Sequence, residues 1–416
     1  MKTFLSYVKV FCILIVSFLL FGVAACMMPD KTVQKNITRT VEQGDLWSDY
    51  SKVFTTRESC KLDNFTDALI LNQAYCLDKK HMKESLLLLP KEEFKGTQSQ
   101  TLHGLTENGV THLDGGYSRY WHGNTFMVRI LLTMGAYPGI RILFYIVSSL
   151  LFVLLCGKLY KKTGYKTLLA YVAGFTLCNF FVMQFSVQFF PSLFLALTGS
   201  LLMLKYFECR KKSCMLFFVF GALTTYFDLL TTPVLSLGIM LCTWLCMTAS
   251  VRSADLKKDL GSIVSFSLLW AVGYGVTWFT KWLLTNLFTD HNTIQNAVQE
   301  TLFRSSTQEG YTRWDAVSAN TALVPWLYVI IIALVILVPF VVRMVKRKPA
   351  VSAGKTQWQY GVMFLIIAAI PYLWFLFAAN HSYVHSWFTY RIQIVSLTGV
   401  LLALASFTDK AEIKNI

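Results

Sequence analysis

Long apolar stretches are the feature of this sequence that most restricts its fold. Stretches of about 18 to 24 residues recur along the chain, and each is long enough to cross ~30 Å of hydrocarbon as an α-helix. The 416 residues are 55% hydrophobic and only 15% charged, whereas about a quarter of a soluble domain is charged. The sequence therefore predicts an all-α integral membrane protein.

Ten stretches have the length and hydropathy of membrane spans. They cover residues 9–28, 139–157, 167–185, 189–205, 213–229, 233–250, 261–283, 323–343, 358–379 and 390–407. An even number of spans places both termini on one side of the membrane. The predicted organisation is a first span (1–28), a long loop (29–138), a bundle of six spans (139–283), a second loop (284–322), three further spans (323–407) and a tail (408–416).

The basic residues predict the orientation of these spans. Linkers 158–166, 205–212, 252–258 and 343–355 carry four, four, three and five basic residues, whereas the alternate short loops carry none. Because Lys and Arg mark cytoplasmic loops, both termini are predicted to be cytoplasmic in a multi-pass protein of the bacterial plasma membrane. The net charge of +15 then reflects this signal and attraction to the lipid bilayer, rather than nucleic-acid binding.

The first apolar stretch has a second interpretation. Lys2 and Lys9 precede an apolar core that ends in V-A-A-C at 23–26, which also resembles a lipoprotein signal with Cys26 as the acylated residue. Such a signal would be cleaved and would not count as a span. Since the apolar run continues to Pro29, we favour a retained span.

The two long loops are predicted to carry short helices. The local signals are amphipathic spacing, an N-cap at Asp63 and a stop at Pro90. They predict helices over 30–43, from 63 to about 75, over 82–89 and over 291–303, with a loose segment up to about Val110. These helices are too short for a separate core, so we expect them to lie on the membrane surface against the spans.

Metal-site and catalytic motifs are scarce. The chain has no zinc-type Cys/His spacing and no GxSxG, P-loop, HExxH or dinucleotide fingerprint. Cys60 and Cys76 are the two cysteines predicted on the outer side, and whether they form a disulfide stays open. No cofactor is predicted, although a divalent metal is left open.

Residues 112–129 form the densest group of polar, aromatic and glycine residues in the chain. Asp114 precedes a Gly-Gly pair that permits a sharp turn, and Tyr117, Arg119 and His122 follow. Arginine suits bidentate phosphate contact. The segment is either an interfacial anchor before a span or part of a binding site.

Further candidates lie in or beside the spans. Asp228 and Lys281 fall near the outer ends of two spans, where an ionisable group is a functional candidate by default, although the two could also pair with each other. Between the last two spans, His381, His385 and Arg391 form another polar group. The i,i+4 histidines would suit a metal, but with no third ligand we favour hydrogen bonding to a polar ligand.

The predicted topology places all these groups, with Asp63 and Asp67, on the outer face. Acids and cations converging at one membrane face are what a phosphate-linked or pyrophosphate-linked lipid would require.

This layout resembles the GT-C class of membrane glycosyltransferases, which have many spans and a long first outer loop. Local motifs at 62–69, 117–123 and 387–391 are also similar to integral membrane proteins of Gram-positive bacteria, a resemblance that brings no activity with it. The GT-C resemblance implies transfer of a sugar, with inversion, from a polyprenyl-phosphate donor to a cell-envelope acceptor. Many GT-C enzymes have an acidic pair directly after the first span, where this chain has only Asp30, so the base is not carried over.

The resemblance assigns expected roles to the candidate residues. The base would be Asp114 or the Asp63/Asp67 pair; the phosphate ligands would be Arg119, Lys281 and Arg391; and His122 and His385 would bind sugar or phosphate oxygens. The alternatives are a transporter or flippase of a polar lipid or envelope precursor, a polysaccharide polymerase or ligase, and a non-enzymatic membrane subunit.

Overall fold

The computed structural model describes residues 2–44, 46, 48–91, 96–110, 115–308, 310–345 and 354–408. These residues are almost entirely helical, which confirms the all-α prediction. The only strands among them are β1 (Pro90–Lys91) and β2 (Gly115–Gly116), which pair antiparallel with Pro90 opposite Gly116 and Lys91 opposite Gly115.

The first span and the long loop after it contain six helices in the part that the structure describes. They are α1 (Lys2–Cys26), α2 (Asp30–Glu42), α3 (Asn64–Cys76), α4 (Met82–Leu87), α5 (Gln98–Asn108) and α6 (Gly123–Leu131), with a short 3-10 turn at Glu58–Cys60.

The remaining helices build the bundle and the second loop. They are α7 (Tyr137–Thr163), α8 (Tyr165–Leu177), α9 (Phe180–Met183), α10 (Phe190–Tyr206), α11 (Arg210–Phe227), α12 (Val234–Val251), α13 (Leu256–Phe288), α14 (Thr293–Ser305), α15 (Arg313–Thr321), α16 (Trp326–Val345), α17 (Lys355–Ala368), α18 (Ile370–Phe377), α19 (Ala379–Val384), α20 (Ser386–Thr389) and α21 (Gln393–Thr408), with a 3-10 turn at Tyr390–Ile392.

Several helices are long and apolar enough to cross a membrane, as a multi-pass protein requires. Among the described residues six meet this test, and a seventh does if the bent pair Arg313–Thr321 and Trp326–Val338, with 70° between its arms, is one span. The six are Phe4–Cys26, Tyr137–Thr163, Val234–Val251, Leu256–Phe288, Lys355–Phe377 and Ser386–Thr408. The predicted count of ten is therefore not confirmed.

The predicted span 167–185 differs most from the structure. Helix α8 ends at Leu177, and Asn179 has a left-handed backbone with φ of 52° before the single turn of α9. Asn is one of the few residues that tolerate this conformation, so the chain changes direction there. Apolar composition alone does not reveal such a break.

The long loop packs onto one end of the bundle, which we call the loop end. At this end α2 contacts α7, α4 contacts α13, and α6 contacts α11. Helix α3 is buried on nearly all sides by other parts of the chain, and its position relative to the membrane surface stays a prediction. Its buried polar side chains form hydrogen bonds with other segments. For example, Nδ2 of Asn72 donates to the Gln98 carbonyl over 3.0 Å.

The local signals of the loops located several helices well. Asp63 accepts a hydrogen bond from the Thr66 amide as the predicted N-cap of α3, and α2, α4 and α14 lie close to their predicted positions. Helix α5 was missed, since residues 98–108 were predicted to be loose. Its signal is a capping box, in which Thr97 and Gln100 satisfy each other's backbone amides.

Two glycines allow α11 and α13 to approach closely. A Cβ added to Gly221 would lie 2.0 Å from the Trp270 carbonyl oxygen, and one added to Gly273 would lie 2.1 Å from that of Phe218. Gly275, on the opposite face of α13, has no neighbour within 4 Å of such an atom. The glycines thus mark the contact line between these helices.

Gly273→Ala should destabilise the fold, and Gly275→Ala should not. The methyl group at 273 forces the two backbones apart, at about 1–3 kcal/mol, whereas at 275 the better helix propensity of alanine should stabilise by up to about 1 kcal/mol. Thermal unfolding of the detergent-solubilised variants measures both. Equal melting temperatures would contradict this packing.

Candidate functional site

Residues 115–122 are held against α13 by tryptophans. The Tyr117 amide continues the strand contact by donating to the Leu88 carbonyl over 2.7 Å. The Arg119 carbonyl accepts hydrogen bonds from the indoles of Trp278 and Trp282, over 2.7 and 3.0 Å. These contacts hold the backbone of Arg119 through its carbonyl. They do not involve its side chain, which has other partners.

The side chains of Arg119 and Arg304 share one carboxylate. Nη2 of Arg119 and Nε of Arg304 each lie 3.5 Å from Oε2 of Glu300. Arg119 also donates to Oδ1 of Asn296 over 2.9 Å, and Nη1 of Arg304 lies 3.2 Å from Nδ1 of His381. We call Arg119, Glu300, Arg304 and His381 the arginine cluster. It joins the long loop, α14 and α19 at the loop end.

The arginine cluster is positively charged and partly open. Two guanidinium groups face one carboxylate, and the exposed fractions of the Arg119, Glu300 and Arg304 side chains are 16%, 34% and 23%. Nζ of Lys91 and Cζ of Arg119 both lie over the Tyr117 ring, at 4.8 and 5.2 Å from its centroid. A cationic surface of this kind attracts phosphate.

Tyr120 and His122 are packed behind this surface. Tyr120 stacks on Trp278 with 5.7 Å between ring centroids, and burial raises its pKa to about 12. Nε2 of His122 donates to the Tyr117 carbonyl over 2.8 Å. Burial, and then the positive charge of Lys281, lowers the pKa of His122 to about 3, so the ring is neutral. Its Nδ1 has no hydrogen-bond partner among the described residues.

The two C-terminal histidines are also neutral. Because the Leu230 carbonyl can only accept, the 2.8 Å contact places the proton of His381 on Nε2, and Nδ1 accepts from Arg304. His385 stacks on Phe388 at 5.1 Å, and burial followed by the charge of Arg304 lowers its pKa to about 4. No group of three potential metal ligands occurs in the described part of the chain.

Asp67 lies at the centre of a buried polar network. It accepts hydrogen bonds from the Ser186 hydroxyl over 2.9 Å, from the Gln188 amide over 3.1 Å and from the Tyr137 hydroxyl, and it lies 3.5 Å from Nη2 of Arg141. Burial raises its pKa although the charge of Arg141 opposes this. These contacts tie α3 to the bundle.

Asp63 caps α3 and is also buried. Its carboxylate accepts from the Thr66 amide over 3.0 Å and from the Thr66 hydroxyl over 2.9 Å. Burial raises the pKa of Asp63 to about 7. The predicted acid pair therefore occupies two different environments, and its catalytic role stays a prediction.

Asp228 and Lys281 have separate partners, so they do not form the pair considered above. Asp228 accepts from the Thr231 amide over 2.9 Å. Nζ of Lys281 donates to the carbonyls of Leu86 and Leu87, over 2.9 and 2.8 Å, at the C-terminus of α4. Both contacts stabilise turns at the loop end.

Arg391 is fully buried beside the long loop, away from the arginine cluster. Its Nη2 donates to the carbonyls of Ser59 and Lys61, each over 3.1 Å, and its Cζ lies 4.5 Å from the centroid of the Phe189 ring. Its Nε and Nη1 have no hydrogen-bond partner among the described residues.

Arg129 and Arg304 are two cations at the loop end that are not among the predicted site residues. Arg129 is buried and bonds to Asp30, to the Ala74 carbonyl and, over 2.9 Å, to the Ala25 carbonyl. Asp30, the acid directly after the first span, is thus part of a salt bridge at the end of α1. The i,i+4 spacing of Glu300 and Arg304, at the end of the predicted helix 291–303, was the available signal for the arginine cluster.

Some sequence expectations lie outside the described residues or remain open. Asp114 and His112 are outside the described residues, so the role of Asp114 stays a prediction. Cys60 and Cys76 are buried free thiols. Cys26 is buried in the last turn of α1.

Comparison with protein-family models, with curated proteins and with solved structures gives no match. The function is therefore argued from the geometry of the chain.

Asp63 should make stability depend on pH. Folding raises its pKa to about 7 from about 3.9 in the unfolded chain, so its neutral form is favoured by folding. Its stabilising contribution is complete below about pH 4 and is lost as pH rises through 7. In Asp63→Asn, which resembles the neutral acid, the melting temperature should fall less between pH 5 and pH 8 than in the wild type.

Asp255→Asn is the matched control, because Asp255 caps α13 in the same way at an exposed position. If Asp63→Asn and Asp255→Asn change the pH dependence equally, the buried Asp63 carboxyl is not its source.

Proposed function

We propose that this protein is a membrane glycosyltransferase with a GT-C-like layout, which takes its sugar from a polyprenyl-phosphate donor at the extracytoplasmic face. The observation that carries the proposal is the sharing of Glu300 by Arg119 and Arg304. One carboxylate neutralises one of the two guanidinium groups, and the remaining positive charge suits a phosphate.

The position of the arginine cluster supports a lipid-linked donor. Arg119 lies beside Trp278 and Trp282 near the end of α13, one of the helices long enough to cross the membrane. A phosphate bound there would have its polyprenyl chain close to the bilayer. The ten-span topology with cytoplasmic termini, predicted from the basic linkers, would place this end outside the cell.

The proposed chemistry is a single displacement. A carboxylate removes the proton of the acceptor hydroxyl, whose oxygen attacks the anomeric carbon with inversion. The bond from that carbon to the donor oxygen breaks, and its electron pair leaves with the polyprenyl phosphate. Arg119 and Arg304 would stabilise the charge of this leaving group.

Asp114 is the preferred base in this proposal. Asp67 already has four partners, and Asp63 is occupied as a helix cap. In the sequence Asp114 directly precedes Gly115, the first residue of β2, and Tyr117 and Arg119 follow shortly after. It is therefore close in sequence to the cation that would hold the donor.

Arg119→Gln and Arg304→Gln should each lower sugar transfer by about 10²–10³-fold, since each removes a charged donor from the leaving phosphate. Transfer is measured in proteoliposomes from radiolabelled polyprenyl-phosphate hexoses to cell-envelope extract. Asp114→Asn should abolish transfer while the protein still binds the donor.

Arg313→Gln is the control, because Arg313 is an exposed arginine of the second loop that donates to the Leu376 carbonyl outside the cluster. Wild-type rates in both cluster variants would overturn the proposal. Donor binding without transfer by the wild type would instead favour a lipid transporter or a non-enzymatic subunit.

A further inference from the structure

A second group of aromatic and cationic side chains lies at the loop end. The rings of Tyr50 and Trp387 meet edge to face with 5.4 Å between centroids, and Nζ of Lys61 lies 5.9 Å from each centroid. Tyr50 is 44% exposed, and the Lys61 side chain is 24% exposed. The three residues therefore present one amphipathic surface, which we call the Tyr50 patch.

A buried cation stands directly behind the patch. The rings of Trp387 and Phe189 lie edge to face with 6.4 Å between their centroids, and the guanidinium of Arg391 lies over the Phe189 ring. Arg391 also holds the Lys61 carbonyl over 3.1 Å. Its Nε and Nη1 are buried and have no hydrogen-bond partner among the described residues, which costs free energy, and Asp63 supplies an opposite charge nearby.

Lys61 is the cation at the surface of the patch. Glu58 pairs with both Lys52, over 2.7 Å, and Lys61, so one carboxylate serves two lysines. The acids Asp49 and Asp63 also lie near Tyr50, and Asp63 lies near Arg391. Of the two lysines only Lys61 lies over the rings of the patch, and it is the cation that an acidic ligand would meet.

We propose that the Tyr50 patch binds a saccharide that carries a carboxylate or phosphate group. Aromatic faces pack on the apolar C–H face of a sugar ring, and a cation between the rings would hold the acidic substituent.

The patch is connected to the arginine cluster through one short segment. The ring centroid of Phe388 lies 4.9 Å from that of Trp387 and 5.9 Å from that of His381. His381 in turn contacts Arg304. The two surfaces thus flank α19 and α20. As the acceptor subsite of the transferase, the patch rests on the proposed function, whereas saccharide binding by itself does not.

The test measures binding rather than turnover. The full chain in zwitterionic lipid nanodiscs is titrated with trigalacturonic acid and with its methyl ester, and binding is followed by calorimetry. The acid should bind and the ester should bind about tenfold more weakly, because it lacks the charge that Lys61 holds. Trp387→Ala should weaken binding of the acid by about tenfold, and Trp387→Phe should restore most of it.

Lys61→Gln and Lys52→Gln form the matched pair. Both remove a lysine from Glu58, but only Lys61 lies over the two rings. We expect about tenfold weaker binding for Lys61→Gln and less than a twofold change for Lys52→Gln. Trp314→Ala, at an exposed tryptophan of α15, controls for removal of an indole.

Three outcomes would overturn the proposal: no binding of the acid, equal effects of the two lysine variants, or binding of phosphatidylglycerol vesicles, in place of the saccharide, that Trp387→Ala abolishes. If transfer persists while saccharide binding fails, the subsite is wrong and the proposed function stands. If the acid binds as expected while no donor is turned over, the saccharide site stands, and both its role as an acceptor subsite and the proposed function fail.

Discussion

The burial of Asp67 is the interaction on which the rest of the structure depends. This carboxylate sits on a helix of the long loop, and its partners Tyr137, Arg141, Ser186 and Gln188 belong to the bundle. A buried acid is tolerated only when it is paired and hydrogen-bonded, and removing one partner from such a pair typically costs about 3–5 kcal/mol. The network therefore fixes α3, and the segments that precede and follow α3 are positioned on both sides of it.

The basic side chains at the loop end fall into two groups, which differ in how completely their positive charges and N–H groups are paired. Arg129 and Lys281 are buried and bonded to carbonyls at helix ends, where they stabilise the docking of the loop. Arg119 and Arg304 are partly exposed and share a single carboxylate, which leaves positive charge facing outward. Both groups consist of basic residues, so residue type does not distinguish them. The candidate site is distinguished from the structural contacts by positive charge that is not fully neutralised.

Local signals predicted the elements whose stability is local. The N-cap at Asp63, the amphipathic α2 and the stop before Pro90 depend on neighbours within a few residues, and each is present. The capping box of α5 is equally local and could have been found. The break at Asn179 lies within an apolar stretch, so hydropathy predicted one continuous span there.

The sequence by itself determined that the chain is helical and belongs in a membrane, because long apolar stretches have few other stable environments. It also marked Arg119, His381 and Arg391 as polar residues out of place among apolar ones. Only the tertiary structure decided their surroundings. Arg119 meets Arg304 across more than 180 positions of sequence, and Arg391 meets the backbone at Ser59 and Lys61 from the far end of the chain. Such partnerships arise from the packing of whole helices, which no local pattern of residues specifies.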